Sequence, residues 1–354
     1  MTLEDLGYDD TLEKYKTQQN LDVFEVGRVI LEHKERYVIR TAENEFDAEL
    51  LGNLRFTAES RSDFPAVGDW VAFSEYDDGK GLIHAIYPRV SVIERQAAGT
   101  SGQIQIIATN VDYGLIVQAV DRDFNLNRLE RYLTICYASD VIPVIVLSKT
   151  DLVNTDELQL LRSRISERIP EIQLLTVNNQ KKGYIAVEAL IEKGKTYCLL
   201  GSSGVGKSTL INILSGDQHM KTGEISSSVN KGKHITSHRE LIVLKKGGIL
   251  IDNPGMREVG IADSTAGLET TFEAILSFAA HCRFNDCTHQ HETGCAILEA
   301  LENGDIDPES YANFQKMEKE KAHFASDAIA RKKKEKYWGK IIKDVQKQRK
   351  KDKY

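Results

Sequence analysis

The chain has 354 residues, 41% hydrophobic and 28% charged, which is typical of an ordinary folded protein with room for two or three domains. No apolar run approaches the roughly 20 residues that span a bilayer, and the first residues lack the basic and apolar blocks of an export signal. Five cysteines, an odd number, are not typical of a disulfide framework. We therefore expect a cytoplasmic protein that does not contact a membrane.

Residues 1–20 are polar and acidic, and are predicted to form a short helix or a loose arm. Five short strand-like segments separated by turns follow, and they predict a small closed barrel, for which an OB-fold is the best candidate. Such barrels often bind RNA through basic and aromatic residues. Here the basic candidates, which are otherwise solvated surface residues, are Arg36, Arg40, Arg55 and Arg61. The predicted strands are Val23–Leu31, Arg36–Thr41, Phe46–Leu50, Asp69–Phe73 and Leu82–Ile86.

A stretch of small residues, Gln96–Gly102, is interpreted as a linker and precedes a change to alternating strands and helices. Strands are predicted at Tyr113–Val120 and Ile142–Leu147, with a helix at Asn127–Ser139 between them. A further strand, Ile172–Val177, ends at Asn178-Asn179, where a GTPase presents a backbone N–H to the guanine O6. This alternation is typical of an α/β domain.

The strand Ile142–Leu147 continues into Ser148-Lys149-Thr150-Asp151, which resembles the N-K-x-D loop of GTPases. In that loop the Asp accepts hydrogen bonds from the guanine N1–H and amino group, which adenine cannot present, and the Lys stem packs along the base. Ser148 stands where Asn is usual, so one side-chain contact is expected to be shortened or lost. The loop predicts guanine recognition.

Residues Gly201–Ser208 read G-S-S-G-V-G-K-S, the G-x-x-x-x-G-K-S pattern of a phosphate-binding loop, between a hydrophobic strand and a predicted helix. The glycines let successive N–H groups face a phosphate, and the helix N-terminus adds positive partial charge. Lys207 is expected to reach the β- and γ-phosphates and Ser208 to ligate Mg²⁺. A glycine turn without a ligand is the alternative. The predicted nucleotide contacts are Gly201, Ser202, Ser203, Gly204, Val205, Gly206, Lys207, Ser208 and Thr209.

Another apolar strand ends in Asp252-Asn253-Pro254-Gly255, a D-x-x-G motif. In this pattern the Asp holds the Mg²⁺ shell and the Gly N–H meets the γ-phosphate. The guanine loop precedes the P-loop by about 50 residues, and nothing like it follows Gly255, which is the reverse of the usual GTPase order. The simplest explanation is a circular permutation, which a fold with neighbouring surface termini tolerates. The segment after Gly255 then leads directly into the C-terminal domain, so nucleotide state can be passed on as a domain motion.

Four residues near the C-terminus, spaced C-x4-C-x-H-x5-C, predict a structural Zn²⁺ site with no open position for water. They are Cys282, Cys287, His289 and Cys295, with His281 and His291 as alternative imidazoles. Cys136 and Cys198 lie in apolar segments and are expected in the core. Short helices are predicted around the cluster, at Leu268–Ala280, Ala296–Asn303 and from Tyr311 onward. The metal is therefore expected to contribute to the stability of this module.

The formal net charge of −7 is divided unevenly. From Lys316 to Tyr354 there are 15 Lys and Arg against 6 acidic residues, so this tail carries +9 and the preceding residues carry −16. A basic tail that contains Tyr337 and Trp338 suits RNA phosphates and bases, although a solvated tail has the same composition.

In combination and in their order, these motifs resemble the circularly permuted, small-ribosomal-subunit-dependent GTPases of the RsgA/YjeQ/YloQ family, of the TRAFAC class, over roughly Val23–Asp305. The resemblance implies GTP as substrate with Mg²⁺, one Zn²⁺ held with His289 as the imidazole ligand, and the small ribosomal subunit with its rRNA as partner. It also implies that Thr236 ligates Mg²⁺ and the γ-phosphate. Met256 stands where GTPases usually have a water-orienting glutamine, so His234 is the candidate for positioning water, or else it only packs the switch loop. The catalytic candidates are His234, Lys207 and Thr236.

The expected fold is a multidomain α/β protein with an arm (1–20), an OB-fold barrel (21–95), a circularly permuted GTPase domain (103–262) and a zinc-binding helical domain with a basic tail (263–354). The expected function is GTP hydrolysis, stimulated by the small ribosomal subunit, by a monomer that binds GTP and GDP and assists late subunit maturation. The alternatives are a small-molecule phosphotransferase that uses the same P-loop, and an RNA-binding module with a vestigial nucleotide site.

Overall fold

The computed structural model describes residues 1–33, 36–96, 104–178, 183–216, 239–253, 260 and 264–326. Several predicted features lie outside these ranges: His234, Thr236, Gly255, Met256, Asn179 and the basic tail from residue 327. Within the described ranges, no helix combines the length and the apolarity that a membrane-spanning segment needs.

The N-terminal arm is a helix, one of the two predicted alternatives. A 3-10 turn (Glu4–Leu6) precedes α1 (Asp10–Gln18). The Asp9 carboxylate caps α1 by accepting hydrogen bonds from two backbone N–H groups of its first turn. Leu6 is fully buried in a cluster with Trp70 of the barrel. The arm is therefore packed against the barrel wall.

Five strands close into the predicted barrel. The order is β1-β2-β3-β5-β4, and β4 pairs back onto β1. β3 and β5 are parallel, whereas the other pairs are antiparallel. Along β3, exposed and buried residues alternate, as a strand with one face in a core requires. This topology is that of an OB-fold. The elements are β1 (Glu25–His33), β2 (Arg36–Arg40), β3 (Glu45–Leu50), the short helix α2 (Gly52–Thr57), β4 (Trp70–Asp77) and β5 (Lys80–Ile86).

A two-stranded sheet, β6 (Val92–Gln96) with β7 (Ile104–Thr109), is absent from the predicted elements. The two strands pair antiparallel, with Val92 opposite Thr109 and Gln96 opposite Ile104. The small residues interpreted as a linker therefore connect two paired strands. Periodicity cannot reveal that the two flanking strands pair, because pairing is a tertiary contact.

The central sheet has the strand order β10-β9-β8-β11-β13-β12, and all neighbouring pairs except β12–β13 are parallel. Separate hydrophobic clusters lie on its two faces, and successive residues of β8, Leu115 and Ile116, belong to different clusters. Helices therefore cover both faces, as in doubly wound α/β folds. The strands are β8 (Tyr113–Ala119), β9 (Ile142–Ser148), β10 (Gln173–Thr176), β11 (Thr196–Leu200), β12 (Glu240–Val243) and β13 (Ile249–Asp252). The helices are α3 (Leu126–Ala138), α4 (Thr155–Arg168), α5 (Ile185–Leu190) and α6 (Lys207–Ser215).

Strand β12 joins the barrel to the central sheet: it pairs antiparallel with β1, and Glu240 lies opposite Leu31. β12 is a further strand absent from the predicted elements. Its four residues are too few for a clear alternation of apolar and polar positions.

The C-terminal helices are α7 (Thr265–Thr271), α8 (Glu273–Ala279), α9 (Ala296–Asn303) and the helical residues 308–326, here named α10. They enclose a small core and pack on α3. A Cβ added at Gly267 of α7 would lie 2.1 Å from the Thr134 carbonyl oxygen, so only glycine permits this approach.

A buried carboxylate ties α10 to the central domain. Glu130 of α3 is 2% exposed and pairs with Arg168 of α4 at 2.8 Å. It also accepts hydrogen bonds from Ser310 Oγ and Asn313 Nδ2 of α10, at 2.6 Å each. One residue along, Arg131 forms a bidentate pair with Glu320 at 2.5 and 2.9 Å. Because the buried charge is paired and hydrogen-bonded, the cost of its desolvation is offset and the two helices are held in register.

Candidate nucleotide-binding site and metal centre

The loop Gly201–Ser208 connects the end of β11 to α6, in the strand–loop–helix context that the motif requires. Gly201, Gly204 and Gly206 have φ of 144°, 84° and 99°, a region that side-chain-bearing residues rarely occupy. A Cβ at Gly201 would lie only 2.5 Å from the Val117 carbonyl oxygen. The glycines therefore permit both the curl of the loop and its close approach to β8.

Lys207 begins α6 and is 8% exposed. Its Nζ donates to the carbonyl oxygens of Gly201, at 2.8 Å, and Ser202, at 2.7 Å. An ammonium has three N–H donors, so one more is available for a phosphate oxygen. Burial lowers the pKa of Lys207 to about 8, against the opposing charge of Asp252. A phosphate beside this ammonium would raise its pKa and favour the charged form.

Asp252 ends β13 and is 3% exposed. Burial raises its pKa to about 6, and the nearby Lys207 acts in the opposite direction. The next residue, Asn253, is also buried and donates from Nδ2 to the Cys198 sulfur at 2.9 Å, while no described residue hydrogen-bonds to its Oδ1. A buried carboxylate thus lies close to the P-loop lysine, which is the arrangement that a hydrated Mg²⁺ and a phosphate chain require.

The Ser-Lys-Thr-Asp loop at the end of β9 lies against the P-loop. Ser148 Oγ donates to the Val205 carbonyl oxygen at 2.5 Å. The backbone N–H of Val120 in turn donates to the Ser148 carbonyl oxygen at 3.1 Å. The hydroxyl of Ser148 thus makes a direct bond between the two loops, although serine is shorter than the usual asparagine.

Two further residues of this loop are held by their neighbours. Lys149 has φ of 58°, and its Nζ pairs with Asp121 Oδ2 at 2.9 Å. Thr150 Oγ1 donates to the Val177 carbonyl oxygen at 3.1 Å, which fixes the loop to the end of β10. Asp151 is exposed, and its negative charge contributes to raising the pKa of Tyr184, a shift caused mainly by burial.

Two residues near these loops were missed in the sequence, Asp121 and Arg128. Asp121 contacts the guanine-type loop, and Arg128 contacts Ser202 of the P-loop at 3.4 Å. Both follow β8, whose carboxyl end lies at the same edge of the sheet as those of β9 and β11. Their position after a predicted strand could have identified them, because ligands of open α/β sheets bind at the carboxyl ends of the strands.

The four predicted metal ligands come together at the other end of the chain. Their ligand atoms all lie within 4.8 Å of one another. His289 Nδ1 is 3.5 Å from the sulfur atoms of both Cys282 and Cys295, and those two sulfur atoms are 3.9 Å apart. A tetrahedron with Zn–S bonds of about 2.3 Å and a Zn–N bond of about 2.0 Å has edges of roughly 3.5 to 3.8 Å. The cluster, completed by Cys287, therefore fits a zinc ion. The alternative imidazole His281 instead bonds the Ser277 carbonyl oxygen at 3.0 Å.

The loop that carries these ligands is stabilised by its own hydrogen bonds. The Glu292 carboxylate accepts from the Thr288 side chain and from the backbone N–H groups of Thr288, Gln290 and His291. These bonds, the Thr288 hydroxyl first, lower the pKa of Glu292 well below its usual value. Tyr311 Oη donates to the His289 carbonyl oxygen at 2.6 Å. His289 is thus positioned by α10 as well as by its own loop.

A mostly parallel sheet with a P-loop after one of its central strands, and a guanine-type loop that the chain reaches earlier, defines a circularly permuted P-loop GTPase. The fold is similar to the crystal structures of YjeQ from Thermotoga maritima and of YloQ, whose description is "a circularly permuted GTPase". Both have a TM-score of 0.59, with 24% and 23% identity. The similarity covers 82% and 84% of this chain and 96% of each of the others.

The RsgA GTPase family model matches residues 86–262. The Opitutus terrae protein named small ribosomal subunit biogenesis GTPase RsgA is 41% identical over 92% of this chain and 91% of its own. RsgA 1 of Listeria innocua is 40% identical over 95% of both chains. This chain therefore belongs to the RsgA GTPase family and is a GTP-hydrolysing enzyme, which confirms the resemblance found in the sequence.

Proposed function

We propose that the protein binds and hydrolyses GTP at the junction of the two loops, and that it acts in the maturation of the small ribosomal subunit. The observation that supports the site is the Ser148–Val205 hydrogen bond, which brings the guanine-type loop against the P-loop. The relatives at about 40% identity are named for small-subunit biogenesis and match nearly the full length of the chain, which supports the process.

At the phosphate end, the backbone N–H groups of Gly201 through Thr209 cradle the phosphates, and Lys207 neutralises the β- and γ-oxygens. Ser208 and Asp252 would hold Mg²⁺, together with Thr236, and the N–H of Gly255 would contact the γ-phosphate. A bound Mg²⁺ supplies charge neutralisation on the β- and γ-phosphates. His234 orients the attacking water. The burial of Lys207 and Asp252 supports this assignment, because charge–charge interactions are stronger in a site that excludes water.

At the base end, Asp151 accepts hydrogen bonds from the guanine N1–H and amino group. The stem of Lys149 packs along the base, and Thr150 fixes the loop to β10. The backbone at Asn178 is the candidate for the N–H that meets the guanine O6.

Replacing Asp151 with Asn tests the base end. We expect the affinity for GTP to fall roughly 10- to 100-fold, since hydrogen bonds to a charged group contribute about 1.5–3 kcal/mol. The affinity for xanthosine triphosphate should rise relative to GTP, because an amide N–H can donate to the 2-oxo group of xanthine. Competition binding with GTP and xanthosine triphosphate measures both changes. The matched control is Asp156→Asn, which removes an exposed carboxylate on the nearby helix α4. An unchanged preference for GTP in the Asp151→Asn variant would contradict the assignment.

The barrel supplies part of the proposed rRNA contact. Of the four predicted arginines, Arg40 and Arg61 pair with Glu45 and Glu32. On α2, Phe56 is 89% exposed next to Arg55, and an exposed aromatic ring beside a cation is a platform for an unpaired base. The basic tail adds contacts with phosphates.

A single structural Zn²⁺, a cytoplasmic location without membrane contact and a monomeric state complete the proposal.

GTP turnover with and without small ribosomal subunits tests the proposed function. We expect slow hydrolysis by the protein alone and an acceleration of about tenfold or more by small subunits, as for GTPases whose partner completes the catalytic machinery. Large subunits and ATP are the controls, and neither should give the effect. Indifference to small subunits would contradict the ribosomal assignment, and equal turnover of ATP would contradict guanine recognition by the Ser-Lys-Thr-Asp loop.

A further inference from the structure

The loop between β8 and α3, residues 120–125, crosses the edge of the sheet where the nucleotide site lies. Its residue Asp121 pairs with Lys149 of the guanine-type loop, and both side chains are partly exposed, at 24% and 19%. Burial alone would raise the pKa of Asp121, but the hydrogen bond and the charge of Lys149 lower it overall. The carboxylate therefore stays ionised and holds the lysine head group on one side of the loop.

This loop is internally bonded, so its backbone is held in place. Asp121 Oδ1 accepts from the backbone N–H of Asp123 at 3.1 Å, and the Asp121 carbonyl oxygen accepts from the N–H of Phe124 at 2.9 Å. The buried side chain of Gln118 donates to the Asp123 carbonyl oxygen at 2.8 Å. At the far end, Asn125 caps α3 by accepting from the N–H of Arg128 at 2.9 Å. The loop is a rigid connection rather than a free surface turn.

The first turn of α3 carries the loop's contact with the P-loop. Arg128 Nη1 donates to the Asp123 carbonyl oxygen at 3.2 Å and to Ser202 Oγ at 3.4 Å. In the part of the chain that the structure describes, no carboxylate forms an ion pair with Arg128. Its positive charge thus lies beside the phosphate-binding loop without neutralisation by an acidic side chain.

We propose that the β8–α3 loop is a third positioning element of the nucleotide site, in which Asp121 orients Lys149 for the purine face and Arg128 orients Ser202 of the P-loop. The proposal rests on GTP binding at this site. It assigns separate effects to the two ends of the loop. Lys149 would keep the same contact with the purine face throughout the reaction. The residue that orients it, Asp121, should therefore affect the binding of GTP and not kcat. The phosphate chain gains charge at the transferred group, so Arg128 acts on turnover.

Asp121→Asn tests the base end in the full chain, by steady-state hydrolysis and by GTP binding. We expect KM to rise roughly three- to fivefold, the upper range for a partly exposed ion pair, with kcat unchanged. Asp121→Glu should restore much of the loss. Asp123→Asn removes the same charge from an exposed side chain two residues away and should leave both constants unchanged. In a Lys149→Ala background, Asp121→Asn should have no further effect, because its partner is gone.

Arg128→Ala tests the phosphate end. We expect kcat to fall roughly three- to tenfold with a small change in KM, because the 3.4 Å contact between Arg128 and Ser202 is a long and therefore weak hydrogen bond. Arg128→Lys should recover part of the rate. In a Ser202→Ala background, Arg128→Ala should have no further effect on kcat, because the hydroxyl that Arg128 orients is gone. Arg122→Ala, in the same loop and exposed, is the matched control and should match wild type.

The outcomes separate this inference from the proposed function. Suppose that wild type hydrolyses GTP, but Asp121→Asn still acts in the Lys149→Ala background and Arg128→Ala still acts in the Ser202→Ala background. The loop then has only a structural role, and the inference is wrong. If Asp121→Asn and Arg128→Ala both behave as wild type, it is also wrong, while GTP hydrolysis stands. If wild type neither binds nor hydrolyses GTP, the proposed function and the inference fail together.

Discussion

Lys207→Ala is expected to lower kcat/KM for GTP by at least about a hundredfold, because we propose that this ammonium neutralises the phosphates. Lys207 is buried, and its ammonium is held by the carbonyl oxygens of Gly201 and Ser202. A point charge in a water-excluded site contributes far more than the same charge on the surface. Steady-state hydrolysis together with binding of a fluorescent GTP analogue measures the loss. Both kcat and KM should change, since Lys207 is expected to contact the phosphates in the ground state and to neutralise the additional charge that develops in the transition state.

Misfolding is a separate explanation for such a loss, and Lys207 allows it to be tested. Burial lowers the pKa of Lys207 to about 8, so the fold disfavours the charged form of this side chain. Removing the ammonium should therefore leave the thermal unfolding midpoint level or raise it. The control is Lys246→Ala, which removes an exposed lysine that pairs with Glu188 and should change neither activity nor stability. A folded Lys207→Ala protein with wild-type turnover would show that the nucleotide binds elsewhere.

The motifs with local requirements could be predicted from the sequence. The P-loop needs glycines at fixed positions between a strand and a helix, and the structure places Gly201, Gly204 and Gly206 at positive φ. The barrel strands could be predicted because a half-buried strand alternates with period two. The permutation follows from motif order alone. Each motif and each strand is encoded within a few consecutive residues, and the permutation requires only their order along the chain.

Features that depend on distant residues could not be predicted. The Glu130 network joins α3, α4 and α10, with Ser310 lying 180 residues after Glu130, and the β1–β12 contact joins the barrel to the central sheet. Asp121 was overlooked because its partner, Lys149, is 28 residues away. In such cases each residue alone resembles an ordinary surface or helix position. Asp121 and Lys149 come to the same edge of the sheet only because β8 lies parallel beside β9 and β11.

Cys287→Ser is expected to remove zinc and loosen the C-terminal module. The core of this module is small, and Cys295 belongs to it, while Cys282 and Cys287 pack against it. Metal binding therefore contributes directly to folding of the module, and structural zinc sites contribute on the order of 10 kcal/mol. Zinc content measured by mass spectrometry should fall from one ion per chain to near zero. The midpoint of thermal unfolding should fall, and limited proteolysis should cut between α8 and α9 first.

The imidazole ligand is tested by measuring zinc content after substitution of His289 and of the two nearby histidines. His289→Asn should lose zinc, whereas His281→Asn and His291→Asn should retain it, because the His289 ring nitrogen lies 3.5 Å from two of the cysteine sulfur atoms. The effect should extend beyond the cluster. Tyr311 of α10 bonds the His289 backbone, and α10 is bound to α3 through Glu130 and Arg131. Loss of zinc should therefore weaken the packing of α10 on α3 and increase amide exchange in both helices. Zinc retention in His289→Asn, or unchanged exchange in α10 after zinc loss, would show that the cluster and the central domain are independent.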